Sequence, residues 1–412
     1  MKLGVSARKD FPIYANYKDP RGLCYLDSGA TSLKPAAVIN AQRGYEEQYS
    51  TNVHRAAYHL AERATEEYEG ARSAIAKFIG ASRPEEIVFV RNTTEAFNLI
   101  ATSYAGRFLK EGDGVLLTEM EHHANLIPWH ELARAKNLRL FFLPFDTATG
   151  ELVWDEKSFV GFLKERNIKL VSLTHVSNAL GTINPVAAIA ACAHAAGAVV
   201  AVDGAQAVPH VPVNVRDLGA DFFAFSGHKM LGPTGIGVLW GRYDLLEKMP
   251  PYQMGGHMID DVYIDRSTFQ NPPFRFEAGT PHVAGVIGFC ASIKYLSDIG
   301  MSAVREHEKK LLSLGMEKLS AIPGIRILGT RDVELRSGCV SFVVDGVHPH
   351  DVGSFCDEEG VMIRAGDHCA RPLHQKLKIP ASCRMSVSVY NDTDDVERLA
   401  AAVAKMTKTF GK

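Results

Sequence analysis

The tetrapeptide Ser226-Gly227-His228-Lys229, followed by Gly232-Pro233-Thr234-Gly235-Ile236-Gly237, sets a lysine in a constrained, glycine-bearing loop. An amine presented that way can reach into a cleft and form a Schiff base with an aldehyde. A single loop lysine is more often simply solvated, so the reading gains weight only from a companion. Asp203 is that companion: it follows the apolar run Ala198 to Val202 and opens Asp-Gly-Ala-Gln-Ala. A carboxylate there can keep a proton on a pyridine nitrogen, which lets a pyridoxal ring act as an electron sink. Taken alone, Asp203 reads more simply as the cap of a turn at Gly204. Asn92-Thr93-Thr94-Glu95 opens an apolar helix carrying Phe97, Ile100, Tyr104 and Phe108. Asn92 with Glu95 resembles a capping box, and the free amides of Thr93 and Thr94 offer a phosphate site.

Two further stretches carry imidazoles and a thiol. Glu121-His122-His123-Ala124-Asn125 has adjacent histidines, but no H-x-x-x-H and no third ligand, so no metal is expected. One imidazole stacked on an aromatic cofactor, able also to move a proton, accounts for the pair better. Arg364-Ala365-Gly366-Asp367-His368-Cys369-Ala370 places a thiol beside Arg364 and His368, two cations that would favour the reactive thiolate. The plain alternative is a small apolar core residue, as expected for Cys192 and Cys290. The glycine-bearing loop suits a thiol that must move to deliver its cargo. Arg384 can grip a carboxylate bidentately.

These residues need a scaffold that gathers them. Apolar runs alternate with helical patterns: Ile87 to Val90 before a helix near Thr93, Gly114 to Thr118 before Asn125 to Lys136, Lys169 to Thr174 before Pro185 to Ala196, then Ala198 to Val202. This alternation predicts an α/β fold with a mostly parallel sheet covered by helices on both faces. In such sheets ligands sit beyond the carboxyl ends of the strands, where the polar residues above fall. The rhythm is lost in a turn-rich connection near Gly255-Gly256 and Asn271-Pro272-Pro273. A long helical segment follows from Ile293 to Ala321, then short strands around Cys339 to Val344, a helix ending near Gly360 and a terminal helix after Asp394. The expected division is an N-terminal segment 1–24 packing with the small domain, a large domain 25–289 and a smaller α+β domain 290–412 carrying the thiol.

A formal net charge of -2 gives no reason to expect nucleic acid or an anionic membrane surface as partner. Seven cysteines without any C-x-x-C suit a reducing compartment. Met1 to Tyr17 lacks the apolar core of a secretory signal. The apolar stretch Pro185 to Val202 reads as a helix and a strand divided by Gly197 rather than as a bilayer span.

At these residues the chain resembles the class V group of fold-type I pyridoxal-phosphate enzymes, and specifically the group II (SufS-type) cysteine desulfurases. Tyr25 to Thr31, Asn92 to Glu95, Glu121 to Asn125, Thr174 to Asn178, Asp203 to Gln206, Ser226 to Lys229, Phe276 to Pro281 and Arg364 to Cys369 carry the likeness in order, from about Asp10 to the C-terminus. The resemblance implies that Lys229 holds the cofactor covalently, Asp203 pairs with its ring nitrogen, Gln206 contacts its ring oxygen and His122 stacks on the ring. It implies that Thr93, Thr94, Ser226 and His228 hold the phosphate, joined by Thr280 of the partner subunit in a homodimer. Asn178, Arg384 and Arg364 would bind the substrate, and Cys369 would take its sulfur. The implied activity is desulfuration of L-cysteine to L-alanine in the cytoplasm, with a SufE- or SufU-like sulfur-acceptor protein downstream, iron-sulfur cluster assembly beyond it and selenocysteine lyase as a possible side activity. Two departures stand out. Ala56 and Tyr58 replace the usual glycine and histidine of the stretch Asn52 to Tyr58, and Asp367 replaces a usual histidine. A negative charge two positions before the nucleophile predicts a less readily formed thiolate. Competing readings are another reaction of the same scaffold, such as aminotransfer, a Cys-His hydrolase built on Cys369 and His368, and a silent scaffold.

Overall fold

The computed structural model of the chain describes residues 3–410; Met1, Lys2, Gly411 and Lys412, the outer ends of the expected terminal segments, lie outside the described residues. Seven strands form the main sheet: β1 Ile87–Val90, β2 Gly114–Thr118, β3 Arg139–Leu143, β4 Ile168–Thr174, β5 Val199–Asp203, β6 Phe222–Ser226 and β7 Gly237–Gly241, in the order β1-β7-β6-β5-β4-β2-β3. All neighbours pair in parallel except β7, which runs antiparallel to both β1 and β6. The predicted mostly parallel sheet is therefore present.

Both faces of the sheet are covered, which is why its strands read as unbroken apolar runs. Successive side chains point to opposite faces. Ile87, Phe89, Val200, Val202, Phe223 and Phe225 enter one core with residues of the helices His59–Phe78 and Val283–Ile299. Val88, Val90, Ala201, Phe222 and Ala224 enter another with Phe97, Leu99 and Trp129. Each large side chain so buried contributes about 1.5–3 kcal/mol. Pro185 to Val202 resolves as the helix Val186–Ala195 and strand β5, with Gly197 in a left-handed turn (φ 79°) between them.

A second sheet of four antiparallel strands follows: β10 Ile325–Leu328, β11 Cys339–Val344, β12 Arg364–Gly366 and β13 Ser382–Ser386, ordered β10-β11-β13-β12. The helices Met301–Ser320, Pro349–Glu358 and Thr393–Phe410 enclose its own core around Leu312, Phe342, Cys383, Met385 and Leu399. The N-terminal segment lies against this part: Gly4 donates to the Val389 carbonyl at 2.8 Å, Arg8 pairs with Asp395 at 2.8 Å, and Cys24 and Tyr25 pair in parallel with Val361 and Met362.

Three local expectations need correction. The single long helix from Ile293 to Ala321 is two helices, Val283–Ile299 and Met301–Ser320, bent by 77° at Gly300, whose φ of 87° no helix continues through. The first of these runs across residue 290. The turn-rich connection contains a hairpin, β8 Ile259–Val262 and β9 Ser267–Phe269, which projects with Val262 63% exposed and Ile264 fully exposed. The helix opened by Asn92 is α-helical only over Thr93–Leu99 and widens to a π-helix over Ile100–Ala105. Among the described residues no single helix is long and apolar enough to cross a membrane.

Candidate active site

The carboxyl ends of β1, β2, β4, β5 and β6 open into one cavity of about 200 Å³, lined by Thr93, Thr94, His122, Asn178, Asp203, Gln206, Ser226, His228, Lys229, Arg364, Cys369 and Arg384. Twelve of the thirteen residues expected to act thus meet. Thr280 does not: it is exposed, on separate surface depressions with Pro281 and His282.

Asp203 ends β5 with its carboxylate buried and accepting from the Ala205 amide at 2.9 Å. The chain turns sharply behind it at Gly204, where a Cβ would lie 2.1 Å from Phe223 Cζ, so only glycine fits. Lys229 closes a single 3-10 turn, Gly227–Lys229, directly after β6. Burial holds its amine below the ordinary lysine range, while the Asp203 carboxylate pulls the other way. An amine with a depressed pKa has more of the nucleophilic neutral form. Its peptide is clamped by the stretch Thr31 to Lys34: the His228 carbonyl accepts from the Ser32 amide at 2.9 Å, the Thr31 and Ser32 hydroxyls at 3.1 and 3.0 Å and Lys34 Nζ at 3.0 Å. Ser32 and Lys34 were not singled out from the sequence, and Thr31 only as the end of the motif Tyr25 to Thr31, because their partners lie about two hundred positions away.

Asn92 caps the helix by accepting from the Glu95 amide at 3.0 Å, as the capping-box spacing predicts. The Glu95 carboxylate returns to the Arg91 amide rather than to that of Asn92. The Thr93 amide and hydroxyl both meet the Ser226 hydroxyl, at 2.9 and 2.7 Å. His122 Nδ1 accepts from the Ala124 amide at 3.0 Å, so its proton sits on Nε2. Burial, assisted by nearby Lys229, pushes the ring down to about 3. It is a neutral imidazole whose Nε2–H can donate and whose Nδ1 lone pair is already engaged. The Gln206 side-chain amide donates to the Gly29 carbonyl at 2.7 Å, leaving its oxygen available.

The thiol approaches from the second sheet. Beyond β12 the backbone takes two successive left-handed residues, His368 (φ 52°) and Cys369 (φ 55°), conformations that cost non-glycine residues about 1–3 kcal/mol each. The glycine-bearing loop that carries the thiol is held by hydrogen bonds at successive residues. Asp367 Oδ1 accepts from the Cys369 amide at 3.0 Å, Asn178 Nδ2 donates to the His368 carbonyl at 2.6 Å and the His123 amide donates to the Cys369 carbonyl at 2.8 Å. His123 Nε2 also accepts from the Arg371 amide at 3.2 Å. The second histidine of the pair is thus a latch for the thiol's loop, a role the sequence reading did not assign.

The expectation that His368 supplies a cation beside the thiol is overturned: burial, then Arg384, pushes it down to about 2, so it is neutral. Arg364 and Arg384 lie opposite each other on β12 and β13 and remain the cations of this side. Arg384 donates to the Asn178 carbonyl at 2.9 Å and pairs with Asp27 at 3.2 Å, while its buried Nε has no partner. Asp27 was not named as a site residue, although it stood in the quoted motif Tyr25 to Thr31. Among the described residues no group of three or more His, Cys, Asp or Glu side chains is gathered as a metal site.

The donor set fits pyridoxal phosphate: one amine for its aldehyde, one buried carboxylate for its ring nitrogen, a neutral imidazole along the cavity, and hydroxyls and amides at a helix start for its phosphate. Arg384, on the cavity wall, offers a guanidinium to a substrate carboxylate.

Comparison with known proteins agrees. Residues 24–399 match the aminotransferase class-V family. The chain is 46% identical over 404 residues to a probable cysteine desulfurase of Halalkalibacterium halodurans, with 98% of each covered. It is 45% identical over 406 residues to a cysteine desulfurase of Dickeya dadantii, covering 98% of this chain and 97% of that one. Among solved structures, the apo form of a cysteine desulfurase from Thermococcus onnurineus NA1 is similar with a TM-score of 0.93 at 40% identity, covering 100% of this chain and 99% of that one. The cysteine desulfurase CsdA of Escherichia coli, in an S-sulfonic acid form, is similar with a TM-score of 0.88 at 37% identity over 98% of both. Likeness of this extent along nearly the whole chain places the protein in the aminotransferase class-V family, among its cysteine desulfurases.

Proposed function

We propose that this chain takes the sulfur of L-cysteine onto Cys369 and releases L-alanine, as a cysteine desulfurase of the SufS type. The observation that carries this reading is the presence of Lys229, Asp203, Arg384 and Cys369 around one cavity. Pyridoxal phosphate, when bound, supplies an electron sink for the electrons freed at the substrate's α-carbon. Lys229 would hold it, Asp203 would keep its ring nitrogen protonated, Gln206 would meet its ring oxygen, His122 would stack on it, and Thr93, Thr94, Ser226 and His228 would bind its phosphate.

The chain's own residues then divide the remaining work. Arg384, Arg364 and Asn178 would orient the substrate carboxylate. The Cys369 thiolate attacks the substrate sulfur: an S–S bond forms, the substrate C–S bond breaks with its electron pair staying on carbon, and carbon takes up a proton. Cysteine plus enzyme thiol thereby gives alanine plus enzyme persulfide, with no outside oxidant or reductant. Cys369 on the cavity wall favours sulfur transfer over aminotransfer, and His368, buried and pushed down to about 2, is too weak a base to activate the thiol of a Cys-His hydrolase.

The exposed hairpin β8–β9 and the position of Thr280 outside the cavity support a homodimer, in which Thr280 of the partner subunit completes the phosphate site. Cys369 also lines an outer, largely apolar groove with Ala101, Ile127 and Leu132, which suits transfer of the sulfur to a SufE- or SufU-like acceptor in the cytoplasm for iron-sulfur cluster assembly. The division into a cofactor-binding part from residue 25 and a smaller C-terminal part bearing Cys369 belongs to this reading, as does selenocysteine as an alternative substrate. The test is a spectrum and a product assay. The purified protein should show the visible absorbance of bound pyridoxal phosphate and form alanine from cysteine; Lys229→Ala should lose both and Cys369→Ser only the second. A colourless parent protein, or a Cys369→Ser variant that desulfurates normally, overturns the proposal.

A further inference from the structure

From His368, which lines the cavity beside Cys369, a buried chain of three side chains runs inward. His368 Nε2 meets the Ser382 hydroxyl at 3.0 Å, the same hydroxyl meets His374 Nε2 at 2.9 Å, and His374 Nδ1 meets the Ala370 carbonyl at 3.1 Å. All three residues are at most 2% exposed. The direction of each hydrogen bond follows from the last one. A carbonyl only accepts, so His374 carries its proton on Nδ1. Burial keeps this ring neutral, so Nε2 is a lone pair and takes the Ser382 hydroxyl proton. The serine oxygen then accepts from His368, whose proton must be on Nε2. His368 Nδ1 is left bare, and it is indeed a buried nitrogen with no partner. One proton arrangement therefore accounts for every hydrogen bond of the chain.

The two ends of the chain grip the residues on either side of the thiol, His368 before it and Ala370 after it. Both His368 and Cys369 are held in left-handed conformations that side chains rarely adopt. The middle member, Ser382, lies opposite Gly366 in the sheet and two residues before Arg384 on the same strand, β13. Residues two apart on a strand share a face. The brace thus fixes the thiol's loop to the strand that carries Arg384. We propose that the His368–Ser382–His374 chain sets the position of Cys369 relative to the substrate-binding Arg384, which makes Ser382 and His374 positioning residues for sulfur transfer; this rests on the reading of Cys369 as the sulfur acceptor.

The test uses the cofactor-loaded enzyme and follows, in a single turnover with L-cysteine, the sulfur gained by Cys369. Ser382→Ala should slow this step about tenfold, the loss of one or two buried hydrogen bonds. The visible band, its change on adding cysteine and the cysteine concentration for half-maximal rate should stay as in the parent. Ser382→Thr, which keeps the hydroxyl, should recover most of the rate. His374→Leu breaks the other end, should show the same selective loss, and carries the test if Ser382→Ala does not fold. A parent-like transfer rate in a folded Ser382→Ala or His374→Leu overturns the brace. So does a loss that Ser382→Thr shares in full, or one that appears as weaker cysteine binding. Cys369→Ser separates the two readings: if the parent gains no sulfur at Cys369, the acceptor assignment falls and the brace with it. If the parent gains sulfur, Cys369→Ser does not, and Ser382→Ala matches the parent, the brace alone falls.

Discussion

Lys229 and Cys369 face one cavity from regions built on different principles. The lysine side stands on the ends of β5 and β6, whose residues are buried on both faces of a seven-stranded sheet; steric fit enforces the turn at Gly204, and the clamp on the His228 carbonyl adds to that packing. The thiol side stands on a short strand of the four-stranded sheet, and its loop is kept in a left-handed path by side chains and amides contributed from distant stretches, His123, Asn178 and Ser382 among them. A site held by packing fails by losing stability or cofactor. A site held by a few directed hydrogen bonds fails by losing rate while the fold survives.

Four tests, one of them a matched pair, probe that contrast, beginning with the largest effect. Lys229→Ala removes the cofactor's anchor, and alanine formation should fall by at least about 10³-fold with loss of the visible band, read by spectrum and steady-state assay. Next, Gly204→Ala forces a Cβ to within 2.1 Å of the Phe223 ring. It should destabilise the protein by about 1–3 kcal/mol, seen as a lower Tm. The matching change on the other side, Gly366→Ala, meets nothing within 4 Å, although a φ of 140° leaves some backbone strain. A Tm loss for Gly366→Ala as large as that for Gly204→Ala would erase the proposed difference.

The third change concerns acid. Burial pushes His175 down to about 4, below its unfolded value of about 6.5. The unfolded chain binds more protons between those values, so this group's contribution to stability is full above about pH 6.5 and is lost as pH falls toward 4. The Tm advantage of the parent over His175→Gln should therefore narrow across that interval, and a constant difference would contradict it. The smallest effect is expected at Asp367. Asp367→Asn keeps an oxygen for the Cys369 amide and removes the charge, so persulfide formation near neutral pH should quicken by only a few-fold. An unchanged rate would show that the charge is irrelevant and that Asp367 serves only as the loop's acceptor.

The sequence exposed the sheet side well, because strands buried on both faces are continuous apolar runs and the chemistry sits where they end. Val199 to Asp203, Phe222 to Lys229 and the Asn92 cap could all be read locally. The thiol side was legible only as a residue list. Its residues read as a thiol beside a cationic His368, whereas the fold buries that ring and ties the backbone through Ser382, His374 and His123. Pairings such as Asp27 with Arg384 or Lys34 with the His228 carbonyl join residues far apart along the chain and leave no periodic trace. The break at Gly300 was hidden for a different reason: helical apolar spacing continues on both sides of it.

The account turns on sulfur arriving at one particular thiol under the control of one particular amine. Mass measurement of the peptides of the loaded enzyme after a single exposure to L-cysteine tests this directly. The peptide containing Cys369 should become heavier by one sulfur atom, in proportion to the alanine released, and should stay unchanged in Lys229→Ala. Sulfur appearing on a different cysteine, or on Cys369 without Lys229, would contradict the account.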